Sequence, residues 1–332
     1  MTADLFLESA RRLRAGAACV ARWTWLLLVM LSPMLPSAAQ QAPTKAAPPA
    51  AKQRTFQTPE EAAWALILAA EQYDVQAMTE ILGPDGVDLV LTADTVQNRN
   101  QSIAFAAEAR EETRVAVDSK KKRATVNVGY EDWPLPIPIV ESKGKWRFDT
   151  KAGRTEMLYR RIGRNELDAI QVCLGYVEAQ KEYSFERHGD ATVNQYAQRV
   201  ISTPGKQDGL AWQNADGTWQ GPVGEVIAKA IAEGYSDKAQ PFHGYYFKVL
   251  KGQGPAAPLG KMDFVVKGAM IGGFALVASP AEYAVSGVKT FIVSHDGVVY
   301  QKDLGPQTLD KFRKMELYNP DSTWEPVPED EP

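Results

Sequence analysis

The pattern of apolar and polar positions predicts strands most clearly between residues 242 and 305. β-Branched and aromatic residues dominate this stretch, and Gly, Pro or Asp interrupts it at short intervals, as is typical of short strands joined by turns. His295-Asp296-Gly297 predicts the tightest turn, because Gly supplies the positive φ that a tight hairpin needs. The stretch therefore predicts four short strands: Tyr245–Leu250, Phe264–Lys267, Gly273–Ala278, and Thr290–Ser294 continuing through the turn to Val298–Tyr300.

A helical period precedes these strands. Asn165 is the predicted N-cap, with Glu166 and Asp168 in the first turn, where carboxylates complement the helix dipole. The apolar stripe at helical spacing consists of Leu167, Ile170, Leu174 and Val177, with Cys173 beside it as a core residue. A further short helix is predicted at Glu225–Glu233.

The chain before residue 150 predicts helices followed by strands. Thr58 and Glu61 form a capping box at the start of the first helix. A second short helix carries Met78, Ile81 and Leu82 and ends at Gly83. Alternation then predicts a hairpin of Arg114–Asp118 and Ala124–Tyr130 around the basic turn Ser119–Arg123.

Trp133–Ile139 has a proline at every second position. Pro134, Pro136 and Pro138 lack the N–H groups that would all point toward one neighbouring strand. The residues between them can still pair on the other side. We therefore expect this segment at a blunted edge of the first sheet.

Helices followed by antiparallel strands, twice along the chain, predict an α+β fold of two domains at 55–152 and 160–326. The first domain resembles the small cone-shaped folds of the nuclear-transport-factor-2 (NTF2) or cystatin type. In the second, one helix across a four-stranded antiparallel sheet resembles the globular heads of type IV pilin-like and pseudopilin proteins. That resemblance rests on the segments 244–247, 274–280, 287–293 and 296–300, although no hydrophobic pilin helix precedes Asn165.

The first 39 residues have the layout of a secretory signal peptide. Four arginines precede the apolar run Trp23–Leu35, and Ser37-Ala38-Ala39 supplies small residues for cleavage before Gln40. The run is short for a membrane anchor, which needs about 20 residues. Residues 40–54 are rich in Pro and Ala and predict a flexible leader. We therefore expect Sec-type export to the periplasm or beyond, with no transmembrane anchor after cleavage.

Charge and cysteine content narrow the function classes. The 332-residue chain has a net charge of −4, and removal of residues 1–39 leaves 33 basic and 39 acidic residues, a net charge of about −6. This balance argues against a generic electrostatic grip on nucleic acid or anionic lipid. The basic turn Ser119–Arg123 is expected to be solvated, with a polyanion site as the alternative. Only Cys173 would remain, which excludes an intrachain disulfide.

No catalytic or metal-ligand motif is evident in the sequence. His188, His243 and His295 lack zinc-ligand spacing, so we expect no metal and no cofactor. His243 stands among aromatic residues, with Tyr245 nearby, and both are candidate binding residues. No serine lies in the Gly-x-Ser-x-Gly turn of a nucleophile elbow.

Asp208 and Glu166 are the best candidates for acid–base chemistry by carboxylates. The alternative for Asp208 is a turn role, and the alternative for Glu166 is an interaction with the helix dipole. Trp212 and Trp219 could stack against a sugar near Asp208, or could pack within their own loop.

Arg160, Arg161 and Arg164 crowd the junction between the two predicted domains. Their guanidinium groups could bind carboxylates of a partner protein. The alternative is an ion-pair latch to Asp149 or Glu166 within the chain.

Six segments together resemble an exported bacterial family, the one numbered 2950 among the domains of unknown function. They are WPLPIP at 133–138, GKWRFDT at 144–150, RRIGRNEL at 160–167, AQKEY at 179–183, HGYY at 243–246 and GGFA at 272–275. The resemblance covers about Phe56 to Trp324. It implies export but supplies no activity and no site residues.

Two function classes follow from the sequence. The preferred one is a non-catalytic envelope protein that binds a protein partner, based on the pilin-like head, the absence of catalytic motifs and an aromatic loop at 196–222 expected to be exposed. The alternative is a periplasmic hydrolase or glycan-binding enzyme that uses carboxylates near Asp208.

Overall fold

Two hydrophobic cores, one in each half of the chain, share a single long helix. The computed structural model describes residues 53–91, 95–223 and 241–328. The predicted signal peptide, most of the leader and the predicted helix Glu225–Glu233 lie outside the described residues. Helices and antiparallel strands occur in both halves, so the predicted α+β class is confirmed. Within the described part of the chain, no helix is both long enough and apolar enough to cross a membrane.

The first half packs helices on a five-stranded antiparallel sheet. Its elements are α1 (Pro59–Glu71), α2 (Val75–Leu82), α3 (Val87–Val90), α4 (Thr95–Glu111), β1 (Thr113–Asp118), β2 (Arg123–Val128), β3 (Trp133–Pro134), β4 (Ile139–Ser142) and β5 (Lys145–Phe148). The strand order is β1-β2-β4-β5, and β3 also pairs with β2. Alternate residues of β2 are buried in the first core, which α1 and α2 share, because side chains alternate between the faces of a strand.

The predicted capping box is present at the start of α1. Thr58 Oγ1 accepts a hydrogen bond from the backbone N of Glu61 at 3.1 Å, and the Glu61 carboxylate accepts from the backbone N of Gln57 at 2.8 Å. As predicted, α2 ends at Gly83, which has a φ of 79°. The sequence reasoning missed α4. This helix buries only Asn98, Ala106 and Ala109 among its described side chains, so it has no stripe of large apolar residues to mark it.

The proline-rich segment lies along one edge of β2. Because β1 pairs with the whole of β2 on one side, β3 and β4 share the other side. Leu135, between two prolines, donates its backbone N–H to Val126 O at 2.7 Å. Arg160 of the long helix donates through Nη1 to Pro134 O at 2.7 Å. The segment therefore begins as an edge strand, as the prolines predicted.

The second half is organised around another five-stranded sheet. Its elements are α5 (Thr150–Ser184), β6 (Arg199–Ile201), β7 (Gly209–Gln213), β8 (Trp219–Gln220), β9 (Tyr245–Leu250), β10 (Gly252–Gln253), β11 (Met262–Asp263), β12 (Val265–Val266), β13 (Ala269–Met270), β14 (Ala275–Pro280), β15 (Lys289–Ser294), β16 (Tyr300–Asp303), α6 (Thr308–Lys314) and β17 (Glu325–Pro326). The order β17-β16-β15-β14-β9 is antiparallel throughout. Every residue of β14 is buried, and α5 and α6 both pack against that strand.

The predicted strands of the second half are only partly correct. Tyr245–Leu250 is found as predicted, while β14, β15 and β16 are displaced from the predicted bounds by one to three residues. Phe264–Lys267 is wrong as a strand of the main sheet, because β12 folds back onto β13 as a separate hairpin. Lys267 and Gly268 form the turn of that hairpin with φ values of 49° and 85°. The sequence reasoning also missed α6 and the fifth strand, β17.

Helix α5 is continuous across the predicted domain junction. Asn165 as an N-cap is therefore wrong, since Asp149 caps the helix, with its carboxylate accepting from Ala152 N at 3.1 Å. The prediction failed because a polar residue such as Asn165 can precede an apolar stripe in the middle of a helix as well as at its start. The 35 residues span roughly 52 Å. The first turns contact the first core, where Thr150 Oγ1 donates to Leu82 O at 2.6 Å, and the later turns enter the second core.

We expect Gly153→Ala to lower the free energy of unfolding by about 1–3 kcal/mol, because overpacking forces displacement of the neighbouring atoms. A Cβ at Gly153 would lie 2.7 Å from Ile137 Cγ1 and 2.9 Å from Ile137 Cα. Gly175→Ala in the same helix is the matched control, since its Cβ would meet nothing within 4 Å. Higher helix propensity predicts a gain of about 0.5–1 kcal/mol there. Denaturant unfolding measures both, and a stabilised Gly153→Ala would contradict the close packing of α5 on the proline segment.

Candidate functional site

The middle of α5 binds the loop that leads into β15. Glu166 Oε1 accepts hydrogen bonds from the backbone N of Val288 at 2.8 Å and of Lys289 at 3.0 Å. Asn165 Nδ2 donates to Ser286 O at 2.8 Å. Glu166 is therefore neither a helix-dipole residue, as expected from its predicted place in a first turn, nor a free acid. It satisfies two backbone donors at the start of a central strand.

Tyr245 is a packing residue at the same junction. Its side chain is fully buried, and its hydroxyl donates to Lys289 O at 2.8 Å. Burial raises the pKa of this phenol far above its usual value, with the nearby Glu166 charge acting in the same direction. Gly287 is required beside it, because a Cβ there would lie 2.2 Å from the Tyr245 hydroxyl oxygen. This candidate binding residue is thus enclosed within the protein.

His243 is the exposed member of this group. Its Nδ1 contacts Asp168 Oδ2 on α5, its ring stacks on Phe242 with centroids 4.3 Å apart, and 52% of its side chain is exposed. The backbone φ of 45° places it in the left-handed region, which is uncommon for a residue other than Gly. The contact with the Asp168 carboxylate and the stacking on Phe242 therefore fix the orientation of the ring.

The three junction arginines separate into two kinds. Arg160 forms an ion pair with Glu156 at 2.8 Å and lies over the Trp133 ring at 5.2 Å, in addition to its bond to Pro134 O. The expected latch to Asp149 or Glu166 is wrong, because those carboxylates bind backbone N–H groups instead. Arg161 and Arg164 are exposed, and no described residue forms an ion pair with either.

An apolar ridge lies beside Arg164 on the outer face of α5. Leu167 and Leu174 are one heptad apart and are 62% and 39% exposed. Arg164, Leu167, Gln171 and Leu174 follow the three-and-four spacing that places residues on one side of a helix. We call these four residues the α5 ridge. Both leucines were predicted to lie in the core and are instead exposed. The buried side of α5 consists of Ala169, Cys173 and Tyr176, which form a weaker apolar pattern in the sequence than leucines do.

Asp208 holds a turn in the structure. Its Oδ1 accepts from Thr203 N at 2.7 Å and its Oδ2 accepts from Thr203 Oγ1 at 2.8 Å, while Arg199 Nε lies 3.7 Å away. Partial burial would raise the pKa of this carboxyl, but the two Thr203 hydrogen bonds and the Arg199 charge outweigh it and lower the pKa. A carboxyl with a lowered pKa is poorly suited to act as a general acid at neutral pH.

Tyr196, Trp212 and Trp219 are half-buried and pack against the second core, so the aromatic side chains of the loop at 196–222 are less exposed than expected, although residues 204–206 and 215–218 of the loop are exposed. A groove of about 570 Å³ includes Trp212 in its lining, together with Tyr183 and His188. Asp208 lines a different groove, of about 630 Å³. The carboxylate and the indole of the expected glycan site are therefore not brought together in one groove.

The remaining chemical candidates also have packing roles. Cys173 is fully buried, and burial raises the pKa of its thiol to about 12, which agrees with the predicted core position. His188 stacks on Tyr183 with centroids 4.0 Å apart. No group of three His, Cys, Asp or Glu side chains suited to a metal ion occurs among residues 53–91, 95–223 and 241–328.

A family model described as "Protein of unknown function (DUF2950)" matches residues 53–327. The chain belongs to this family. Neither the curated proteins nor the solved structures include a significant match. The resemblances to NTF2, cystatin and pilin-like folds therefore stay predictions, as do the exact domain boundaries of this DUF2950 protein.

We expect Asp208→Asn to lower the free energy of unfolding at neutral pH by about 1 kcal/mol, because Thr203 would no longer donate its two hydrogen bonds to a charged carboxylate. The folded-state pKa of Asp208 is lowered, so its contribution is complete above the ordinary carboxyl pKa of about 4 and disappears as the pH falls through the folded value. The difference between wild type and variant should therefore shrink in acid.

Chemical unfolding of the two proteins across the acid range measures this difference. Asp190→Asn, at an exposed position, is the control and should leave stability unchanged. A difference that is independent of pH, or absent at neutral pH, would contradict the turn role.

Proposed function

We propose that this DUF2950 protein is an exported, non-catalytic envelope protein that binds a protein partner through the α5 ridge. The observation that carries the proposal is the pair Leu167 and Leu174, exposed one heptad apart beside the Arg164 guanidinium. Apolar residues at this spacing are those that a second helix covers with its own side chains. Arg161, on the adjacent side of the helix, adds a second exposed cation.

The rigidity of this surface supports a binding role. The α5 ridge lies on a helix whose N-terminal turns contact the first core and whose later turns contact the second. The backbone of such a helix is already ordered before a partner binds. Binding therefore costs less conformational entropy than it would at a flexible loop. The loop before β15 is hydrogen-bonded to Asn165 and Glu166 of α5 next to the ridge, which further limits local movement.

The charges indicate the chemistry of the partner. Arg164 and Arg161 have no ion pair among the described residues, although guanidinium groups are well suited to bidentate carboxylate binding. We therefore propose a partner surface that presents aliphatic side chains flanked by Asp or Glu. The proposed export rests on the signal-peptide layout of residues 1–39.

The hydrolase or glycan-binding alternative has weaker support. It needs Asp208 as an acid or base and Trp212 as a stacking surface in one site. Asp208 is instead bound to Thr203, and the two residues line different grooves.

Site-specific photo-crosslinking in cells tests the proposal. A photoreactive residue in place of Leu167 should yield one dominant adduct with an envelope protein. Arg164→Glu should reduce that adduct about ten-fold or more, since truncating or reversing a charge in an interface costs at least about 1.4 kcal/mol. The same photoreactive residue in place of Leu259, which is 88% exposed in the loop between β10 and β11, is the control.

Equal adducts at positions 167 and 259, or an adduct unaffected by Arg164→Glu, would contradict binding at the ridge. N-terminal sequencing of the mature protein tests export separately, and a chain that begins at Gln40 is expected.

A further inference from the structure

Two hairpin turns that are separate in sequence meet at one end of the first sheet. The β1–β2 turn contains Lys120, Lys121 and Lys122, and the β4–β5 turn contains Lys143. Glu141 N donates to Lys122 O at 2.9 Å, so the β1–β2 turn is hydrogen-bonded to β4 close to the β4–β5 turn. Pairing of β2 with β4 extends this contact, with Arg123 opposite Val140.

The result is a dense cluster of positive charge, which we call the basic tip. Its cations are Lys120, Lys121, Lys122, Arg123, Lys143 and Lys145, all exposed. The acidic side chains within the two turns and the strand ends that flank them are Asp118 and Glu141. Asp118 forms an ion pair with Lys121 at 3.4 Å, and the half-buried Glu141 lies beside Lys122. The tip thus has a net charge of about +4 at neutral pH in a protein whose overall charge is negative.

Two of these lysines lie in an uncommon backbone conformation. Lys122 and Lys143 have φ values of 50° and 53°, in the left-handed region. Lys143 and Gly144 form a two-residue hairpin loop with positive φ at both positions, where Asn-Gly or Gly-Gly is the usual pair. Lysine adopts this conformation less readily than Gly or Asn does, and the same Lys-Gly pair also forms the β12–β13 turn.

The overall net charge of the protein does not determine the electrostatic potential at the basic tip. Charges more than about 8–10 Å away are largely screened at physiological ionic strength. A charged surface in contact with the basic tip therefore responds to the local cluster and only weakly to the distant acidic residues. The expectation from net charge, that the protein avoids anionic lipid, does not apply to this end of the sheet.

We propose that the basic tip binds the anionic headgroups of a phospholipid bilayer. Five of its six cations are lysines, which act as mobile point charges and suit a dense, fluid layer of negative charge better than one fixed carboxylate. No tyrosine, tryptophan or phenylalanine belongs to the tip to stack on bases, as single-stranded nucleic acid binders need. The choice of a membrane over nucleic acid also rests on the proposed export. The charge cluster itself is independent of the proposed function.

Vesicle co-sedimentation tests the proposal with the mature protein from Gln40 onward. Vesicles of equal parts phosphatidylglycerol and phosphatidylcholine should bind the protein, and vesicles of phosphatidylcholine alone should not. Each lysine near an anionic surface changes the partition coefficient about five-fold. The double variant Lys120→Ala and Lys145→Ala should therefore bind about 25-fold more weakly, and added salt should release the wild-type protein.

The matched control is the double variant Lys206→Ala and Lys261→Ala, which removes the same charge from exposed positions elsewhere. It should bind like the wild-type protein, and both double variants should keep the wild-type thermal transition. Equal weakening in the two double variants would overturn the proposal, because it would show a response to net charge alone. Binding to inorganic polyphosphate without binding to phosphatidylglycerol vesicles would overturn it as well. The vesicle assay uses purified protein, so its outcome is independent of the crosslinking test of the α5 ridge.

Discussion

The structure depends on α5, because both hydrophobic cores contact this one helix. Asp149 caps its start, and Thr150 and Gly153 bring its first turns against the first sheet and α2. Later turns bury Ala169, Cys173 and Tyr176 in the second core. A helix held at both ends has little freedom to bend without disturbing one core. Near the middle of α5, Glu166 accepts a hydrogen bond from the loop before β15 and Asn165 donates one to it, which fixes the second half of the chain against the helix.

That constraint decides which side chains are exposed. Arg160, which the sequence grouped with Arg161 and Arg164, is bound to the proline segment, so only the latter two remain on the surface without an ion pair among the described residues. The same helix directs Leu167 and Leu174 outward, although the periodic pattern had assigned them to the core. Likewise, the pairing of β2 with β4 brings the lysine turns together. Both proposed surfaces therefore arise from packing between segments distant in sequence.

Local signals in the sequence were sufficient for some elements and not for others. Thr58 and Gly83 marked helix ends correctly because capping involves only neighbouring residues. Asn165 misled because a buried stripe alone does not show where a helix begins, and α4 was missed because its buried side chains are small. Asp208 and Trp212 are four residues apart, yet they line different grooves. Their placement depends on contacts with α5, β6 and Thr203, which no local pattern contains.

Hydrogen–deuterium exchange of the mature protein tests the central claim, the continuity of α5 through the junction. If the helix is continuous, the backbone amides of residues 156–168 should be protected to nearly the same degree as those of residues 173–183. Amides at 156–168 that exchange as fast as those of the exposed turn at 119–122 would contradict the account. That result would indicate a linker within the helix, between the first core and the second.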